Sequence, residues 1–294
     1  MEVTYKMFKY LRALVIVTLL IINLVVLSTI FCCFAILKTI MPTNKLKIHI
    51  YHITEQCYHI WVDVNAKVLT TFTPTKWNIN STNKLSKDEW YALIANHFSG
   101  VDILALQILL NRKVPHLKFF MKDSLKYIPI IGQFCYFFNY PFIKRYTPQQ
   151  IRKKPKRKYE NISNLKDACR KLKTHPTTII NFLEGTRFTT TKHTLQKSPY
   201  KNLLQPQVGG TSVLLTEMQQ EIKVIIDATI NYQGGKTLID LLLGDIETVN
   251  IDIALIPVDP SWHGNFYEDK SYKRSITGKF KNIWDKKDAL ISEI

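Results

Sequence analysis

Asn96-His97-Phe98-Ser99-Gly100-Val101-Asp102 sets a histidine and an aspartate five positions apart, just after a short apolar run. A carboxylate that accepts a hydrogen bond from an imidazole fixes its tautomer and stabilises the imidazolium. The other ring nitrogen is then left to act as a base. That arrangement needs a loop that turns sharply into a helix. The plainer use of the same residues is a helix start, in which Ser99 and Asp102 satisfy orphan amides and His97 is a hydrogen-bonded loop residue. A second cluster is Phe182-Leu183-Glu184-Gly185-Thr186-Arg187. Its glycine lets the backbone turn and approach a ligand closely, and its arginine offers a planar fork suited to phosphate. Glu184 could hold that arginine or bind a hydroxyl; the plainer reading is a turn with a surface ion pair. A third, Pro141-Phe142-Ile143-Lys144-Arg145, puts two cations after an aromatic-rich stretch, 118–140, broken at Pro129 and Gly132. Such a stretch suits a surface that dips into lipid beside a polar site.

The patterning supplies elements that could carry these clusters. Residues 91–95, 177–183, 222–230 and 251–258 read as strands, and 99–110, 161–173 and 210–220 as helices. In 161–173 the apolar residues Ile162, Leu165, Cys169 and Leu172 fall at helical spacing. Strands alternating with helices predict an α/β fold, a central sheet flanked by helices. In open α/β sheets ligands bind beyond the carboxyl ends of the strands. The first two clusters both lie there, which favours a functional reading of each.

Before the sheet comes a stretch, 13–37, that carries no charge. As a helix it spans roughly 37 Å, more than the bilayer core of about 30 Å. It is too long for the apolar part of a cleaved signal peptide and reads as an N-terminal membrane-anchoring helix. Lys6, Lys9 and Arg12 precede it and Lys38, Lys45 and Lys47 follow, so the balance of positive charge leaves its orientation open. Residues 43–72 read as a helix of mixed polarity. The expected organisation is 1–42 for the stub and transmembrane helix, 43–86 for an amphipathic membrane-associated segment, and 87–294 for the catalytic domain.

Composition narrows the classes. With 294 residues, 46% of them apolar, the chain can bury a core and is not mainly disordered. A formal charge of +17 favours an anionic partner. Five cysteines without a CxxC pair argue against a disulfide scaffold or a zinc ribbon. His49, His52, Cys57 and His59 do not repeat the spacing of a metal site and read as surface residues of a membrane-side helix. The run from Arg152 to Lys158, interrupted only by Pro155, suits anionic lipid headgroups better than nucleic acid, because no nucleic-acid fold signature accompanies it. Gly234-Gly235-Lys236-Thr237 is not a phosphate-binding loop, since the required earlier glycine is Ile230. His97 likewise occupies the first glycine position that a serine-hydrolase elbow around Ser99 would need.

Taken in order, the three blocks resemble the membrane-bound glycerolipid acyltransferases, the 1-acyl-glycerol-3-phosphate acyltransferase family. The histidine and aspartate separated by four residues after an asparagine are Asn96, His97 and Asp102; F-I-x-R is Phe142, Ile143 and Arg145; E-G-T-R is Glu184 to Arg187. A K-x-x-L-x-x-x-P-x-x-G pattern at Lys122, Leu125, Pro129 and Gly132 is also similar to the family, and the likeness extends over about 87–290. Within the family the chain looks most like a bacterial subgroup. It departs from the family pattern at Gln205-Pro206-Gln207-Val208-Gly209-Gly210, which lacks a lysine, and at Asp227, inside a strand where a proline is usual.

The resemblance implies transfer of an acyl chain from acyl-CoA or acyl-carrier protein to the hydroxyl of a lysophospholipid, with lysophosphatidate as the default acceptor. It implies His97 as general base and Asp102 as its partner. Arg145, Glu184, Gly185, Thr186 and Arg187 would form the acceptor site. It implies no metal or redox cofactor, no nucleic acid, and a bacterial inner membrane with the catalytic domain on the cytoplasmic side. Asn80 and Asn161, which begin glycosylation acceptor triplets, would then be unused. A hydrolase that employs water with the same His and Asp, and a non-catalytic lipid-binding protein on the same fold, stay open.

Overall fold

A computed structural model describes residues 2–41, 43–80, 85–128, 131–138, 140–143, 146 and 148–293. In chain order the elements are α1 (Glu2–Ile40), α2 (Asn44–Phe72), β1 (Lys76–Asn80), β2 (Trp90–Ala95), α3 (Val101–Leu110), β3 (Leu117–Phe119), β4 (Met121–Lys122), α4 (Ile131–Phe137), β5 (Phe142–Ile143), α5 (Pro148–Lys153), α6 (Arg157–Leu172), β6 (Thr178–Phe182), α7 (Thr190–Gln196), α8 (Gly209–Glu217), β7 (Ile222–Gly234), α9 (Leu238–Leu243), β8 (Ile246–Pro257) and α10 (Lys270–Ser292). The central sheet has the strand order β1-β8-β7-β2-β6-β3, and β4 pairs separately with β5. The expected α/β sheet with flanking helices is the fold that the chain forms.

The chain divides into two compact units, and β7 and β8 run through both. The first holds residues 1–80, 99–112 and 231–251. Within it α1 contains the one helix among the described residues that is long and apolar enough to cross a membrane, Lys6–Leu37. Only 17% of its most apolar window is covered by protein. The side it does bury meets α2. There the Asn23 amide donates to Asn65 Oδ1 at 2.8 Å and to the Trp61 carbonyl at 3.0 Å. A buried polar pair of this kind fixes one register between the apolar α1 and the mixed-polarity α2. Lys9 pairs with Asp245, and Arg12 donates to the Leu243 carbonyl. Lys9 and Arg12, two of the cations read as flanking charges of a span, therefore have protein partners. His59 likewise has a structural role, its Nδ1 lying 2.6 Å from Asn111 Oδ1.

The second unit holds 81–98, 113–230 and 252–294. Its strands β2, β6, β3 and the start of β7 are parallel neighbours. Parallel strands are covered on both faces, which is why β2 reads Trp-Tyr-Ala-Leu-Ile-Ala with no alternation and buries five of its six residues completely or nearly so. Ala95 stands in register with Phe182 on one side and Ala228 on the other, so β2, β6 and β7 come to one edge together. Around this sheet the core includes Ile94, Ile179, Leu214, Phe280 and Trp284.

Several elements lie outside the sequence expectations. β1, β3 and the short helices α7 and α9 are too brief to show a period. α10 is long, and its buried residues Tyr272, Ile276, Phe280, Trp284, Lys287 and Ile291 follow a helical stripe. The aromatic stretch expected to dip into lipid is partly core. Phe138 and Tyr140 are buried, the Tyr140 hydroxyl lies 3.0 Å from His116 Nε2, and Tyr127 and Tyr136 are the exposed members. The Gly-Gly-Lys-Thr run is a helix start. Thr237 caps α9 in a reciprocal capping box with Asp240, whose carboxylate takes the amides of Lys236 and Thr237.

Candidate active site

Asn96 ends β2 by behaving as one more strand residue. Its amide donates to the Ile230 carbonyl and accepts from the Ile230 amide, both at 2.9 Å. This two-way bond extends the parallel ladder by a side chain and fixes where the following loop leaves the sheet. His97 is the next residue. Its backbone amide donates to Glu184 Oε1 at 3.1 Å, and its carbonyl accepts from the Phe188 amide at 2.7 Å. The imidazole stacks on Phe182, with ring centroids 4.0 Å apart and planes 14° from parallel.

The second cluster turns immediately beyond β6. The Gly185 amide closes on the Phe182 carbonyl at 2.9 Å, and Gly185 adopts φ +67°, in the left-handed region that favours glycine. Glu184 is 2% exposed, and its second oxygen accepts from the Leu204 amide at 3.3 Å. Its carboxylate thus braces the His97 loop and the 200–208 segment from below. Thr186 is half-buried and Arg187 exposed. His97, Gly185, Thr186 and Arg187 line one cavity of about 500 Å³, walled by Phe119 and Phe182. The structure therefore brings His97 together with the Glu184–Arg187 turn, as two loops at the carboxyl edge of adjacent parallel strands.

Asp102 lies in the first unit, in the first turn of α3, and is completely buried. Its Oδ2 accepts from the Ser99 amide at 2.9 Å, and its Oδ1 accepts from the Tyr232 hydroxyl at 2.5 Å. Ser99 Oγ accepts from the Val101 amide. The helix-start use of Ser99 and Asp102 is thus real, and it holds the carboxylate in place. Burial, then the charge of Asp102, pushes the Tyr232 hydroxyl well above its ordinary value, so it stays a donor. Arg145, with Lys144, lies outside the described residues.

Two further residues escaped the motif reading. Lys192, in the first turn of α7, also lines the cavity. Lys287 of α10 is 1% exposed and reaches Asp227 Oδ1 at 2.7 Å, the Ala228 carbonyl at 2.7 Å and Thr229 Oγ1 at 3.0 Å. Asp227, the departure noted inside β7, is thus the counter-ion of a lysine sixty positions later. Burial pushes the Lys287 ammonium down from its ordinary value, and the charge of Asp227 opposes that shift.

Residues 76–209, which span both clusters, match the model of the Acyltransferase family. The chain is 25% identical over 211 residues to human 1-acyl-sn-glycerol-3-phosphate acyltransferase gamma, covering 64% of this chain and 53% of that one. It is 28% identical over 187 residues to 1-acyl-sn-glycerol-3-phosphate acyltransferase 3 of Arabidopsis thaliana, covering 58% of this chain and 47% of that one. The chain spans about half the length of these curated relatives. In fold it is similar to the crystal structure of the 1-acyl-sn-glycerophosphate acyltransferase PlsC from Thermotoga maritima, with a TM-score of 0.55 at 16% identity over 98% of each chain.

Proposed function

We propose that the chain, whose residues 76–209 match the Acyltransferase family, moves a fatty acyl group from a thioester to the free hydroxyl of a lysophospholipid, lysophosphatidate first among them. The observation that carries this reading is the single cavity that gathers His97, Thr186 and Arg187. A base and a phosphate-binding cation stand on adjoining loops, with apolar walls between which an acyl chain can lie.

In this scheme a ring nitrogen of His97 takes the proton of the acceptor hydroxyl as that oxygen bonds to the thioester carbon. The tetrahedral intermediate collapses, the carbon–sulfur bond breaks, and the departing thiolate recovers the proton from the imidazolium. Asp102, as the motif implies, stabilises that imidazolium. Arg187, with Arg145, holds the acceptor phosphate; Gly185 and Thr186 bring backbone and hydroxyl to it, and Glu184 keeps the turn in shape. The hydroxyl is the direct nucleophile, so no acyl-enzyme is needed. The donor is acyl-CoA or acyl-carrier protein, and no other cofactor enters the scheme. The apolar α1 would anchor the enzyme at the membrane where its acceptor resides, with the catalytic unit on the side that holds the donor.

A positioned base contributes about 10²–10⁴-fold, or roughly 3–5 kcal/mol of barrier. The test uses detergent-purified protein, labelled oleoyl-CoA or acyl-carrier protein, and a panel of lysophospholipids, with wild type and His97→Ala side by side. Transfer to one acceptor that is lost in the folded variant upholds the reading and names the acceptor. Thioester consumption without a new lipid would replace it by a hydrolase. Undiminished transfer by His97→Ala would remove His97 from the chemistry.

A further inference from the structure

Lys192 belongs to none of the blocks that carry the family likeness, yet the fold delivers it to the cavity. Thr189 caps α7 and accepts the Lys192 backbone amide at 3.2 Å, which places this residue in the helix's first turn. From there the side chain folds back over the Glu184–Arg187 turn. Its Nζ donates to Thr186 Oγ1 at 2.7 Å and to the Arg187 carbonyl at 3.0 Å. It lines the same cavity as His97 and Arg187 and is half-buried.

Both of these partners are uncharged oxygens. Among the described residues no carboxylate lies within ion-pair distance of Lys192, in contrast to Lys166, Lys173 and Lys287, each of which has one. The described lining of the cavity carries two cations, Arg187 and Lys192, and no carboxylate. An ammonium has three hydrogens, of which the protein takes two here. A half-desolvated cation without a counter-charge is an arrangement that an incoming anion completes. The two cations are also of complementary kinds. Arg187 can meet phosphate oxygens in a planar fork, whereas Lys192 adds a compact point charge.

We propose that Lys192 is a second phosphate ligand of this cavity, which acts with Arg187 to hold a phosphate-bearing substrate beside His97 and to select it over a neutral one. The proposal rests on the acyl-transfer reading for the identity of that substrate. The phosphate is that of the lysophospholipid acceptor or that of the CoA donor, and kinetics separates the two.

The experiment measures KM for each substrate with wild type, Lys192→Met and Lys192→Arg. Loss of one charge-assisted hydrogen bond is expected to raise KM for the phosphate-bearing substrate about ten-fold or more, and the arginine variant should recover most of it. If the acceptor is held, KM for lysophosphatidate rises while that for monoacylglycerol does not. If the donor is held, KM for oleoyl-CoA rises while that for a phosphate-free oleoyl thioester does not. Unchanged KM values, or equal losses with phosphate-bearing and phosphate-free substrates, would reduce Lys192 to a brace of the turn and overturn the proposal. Should wild type transfer to no acceptor at all, the acyl-transfer reading fails on its own. The same proteins melted in inorganic phosphate then decide: stabilisation of wild type but not of Lys192→Met upholds the anion site, and equal or absent stabilisation overturns it.

Discussion

The imidazole of His97 lies flat on the ring of Phe182, 4.0 Å between centroids, and Phe182 in turn faces Phe119 at 6.1 Å with planes 16° apart. Phe182 is the last residue of β6 and stands in register with Ala95, two positions before His97. The orientation of the ring is therefore set by strand pairing as well as by its own loop. A ring stack of this kind contributes roughly 0.5–1.5 kcal/mol, and small misplacements of a reacting group cost rate steeply. Phe182→Leu keeps an apolar residue in the strand but removes the flat face. Its kcat should fall by about ten-fold while KM for both substrates stays within about two-fold. Steady-state kinetics checks this, and a rise in KM with unchanged kcat would mean that Phe182 serves only as a wall of the cavity and does not hold the imidazole.

Tyr232 is the partner of Asp102 that no motif announces. Its hydroxyl supplies one of the hydrogen bonds on a carboxylate with no exposure to water. A hydrogen bond to a charged group is worth about 1.5–3 kcal/mol, so Tyr232→Phe should melt several degrees below wild type and lose turnover as Asp102 loosens. The pH dependence has a definite sign. The folded hydroxyl titrates well above its ordinary value of 10.0, so above pH 10 the unfolded chain releases a proton that the folded one retains. Stability then falls as pH rises, and wild type should lose melting temperature above pH 10 more steeply than Tyr232→Phe. Parallel curves for the two proteins would mean that the fold does not raise the pKa of the Tyr232 hydroxyl.

What the sequence made legible was the chemistry that has to be written in fixed letters. His97, Asp102 and the Glu184–Arg187 turn are recognisable because the roles proposed for them, a base, its carboxylate and a tight phosphate-binding turn, admit few substitutes. Strand-end placement was legible too, because parallel strands show as unbroken apolar runs. The supporting contacts were not. Asn96 meets Ile230, and Asp102 meets Tyr232, across separations of 134 and 130 residues. Such pairings follow from the register of β7 against β2, which no local pattern encodes. Asp227 reads as a departure from the family pattern for the same reason, since its partner Lys287 lies on a helix sixty positions later. Glu184 is recognisable as a motif letter, but its use, bracing two backbone amides, depends on loops that meet only in the fold.

Asp227 and Lys287 give a test of that long-range logic. Lys287 is 1% exposed and its contacts with Asp227, Ala228 and Thr229 saturate its three donors, while the Asp227 side chain is 12% exposed. Removing one partner of a buried pair is strongly destabilising, by about 3–5 kcal/mol, whereas replacing both by uncharged groups costs much less. Lys287→Met should therefore lower the melting temperature markedly, and Lys287→Met combined with Asp227→Asn should recover a large part of the loss. Additive losses in the double variant would mean that the two residues do not act as a pair.

Gly185 separates conformational demand from lack of room. Its φ of +67° belongs to the left-handed region, where a residue with a Cβ costs roughly 1–2 kcal/mol. Space is not limiting, for a Cβ built there would meet only Gln207 Cγ, at an ordinary 3.7 Å. Tolerance should then follow left-handed propensity and not size. Gly185→Asn should be milder than Gly185→Ala, although asparagine is the larger, and Gly185→Val should be worst because branching at Cβ disfavours this backbone most. Melting temperature and KM for lysophosphatidate should rank the three variants alike, since the Gly185 amide closes the turn that presents Thr186 and Arg187 to the cavity. A ranking by volume, with alanine the mildest, would mean that the turn relaxes to negative φ at no cost and that the conformation of Gly185 does not set the site.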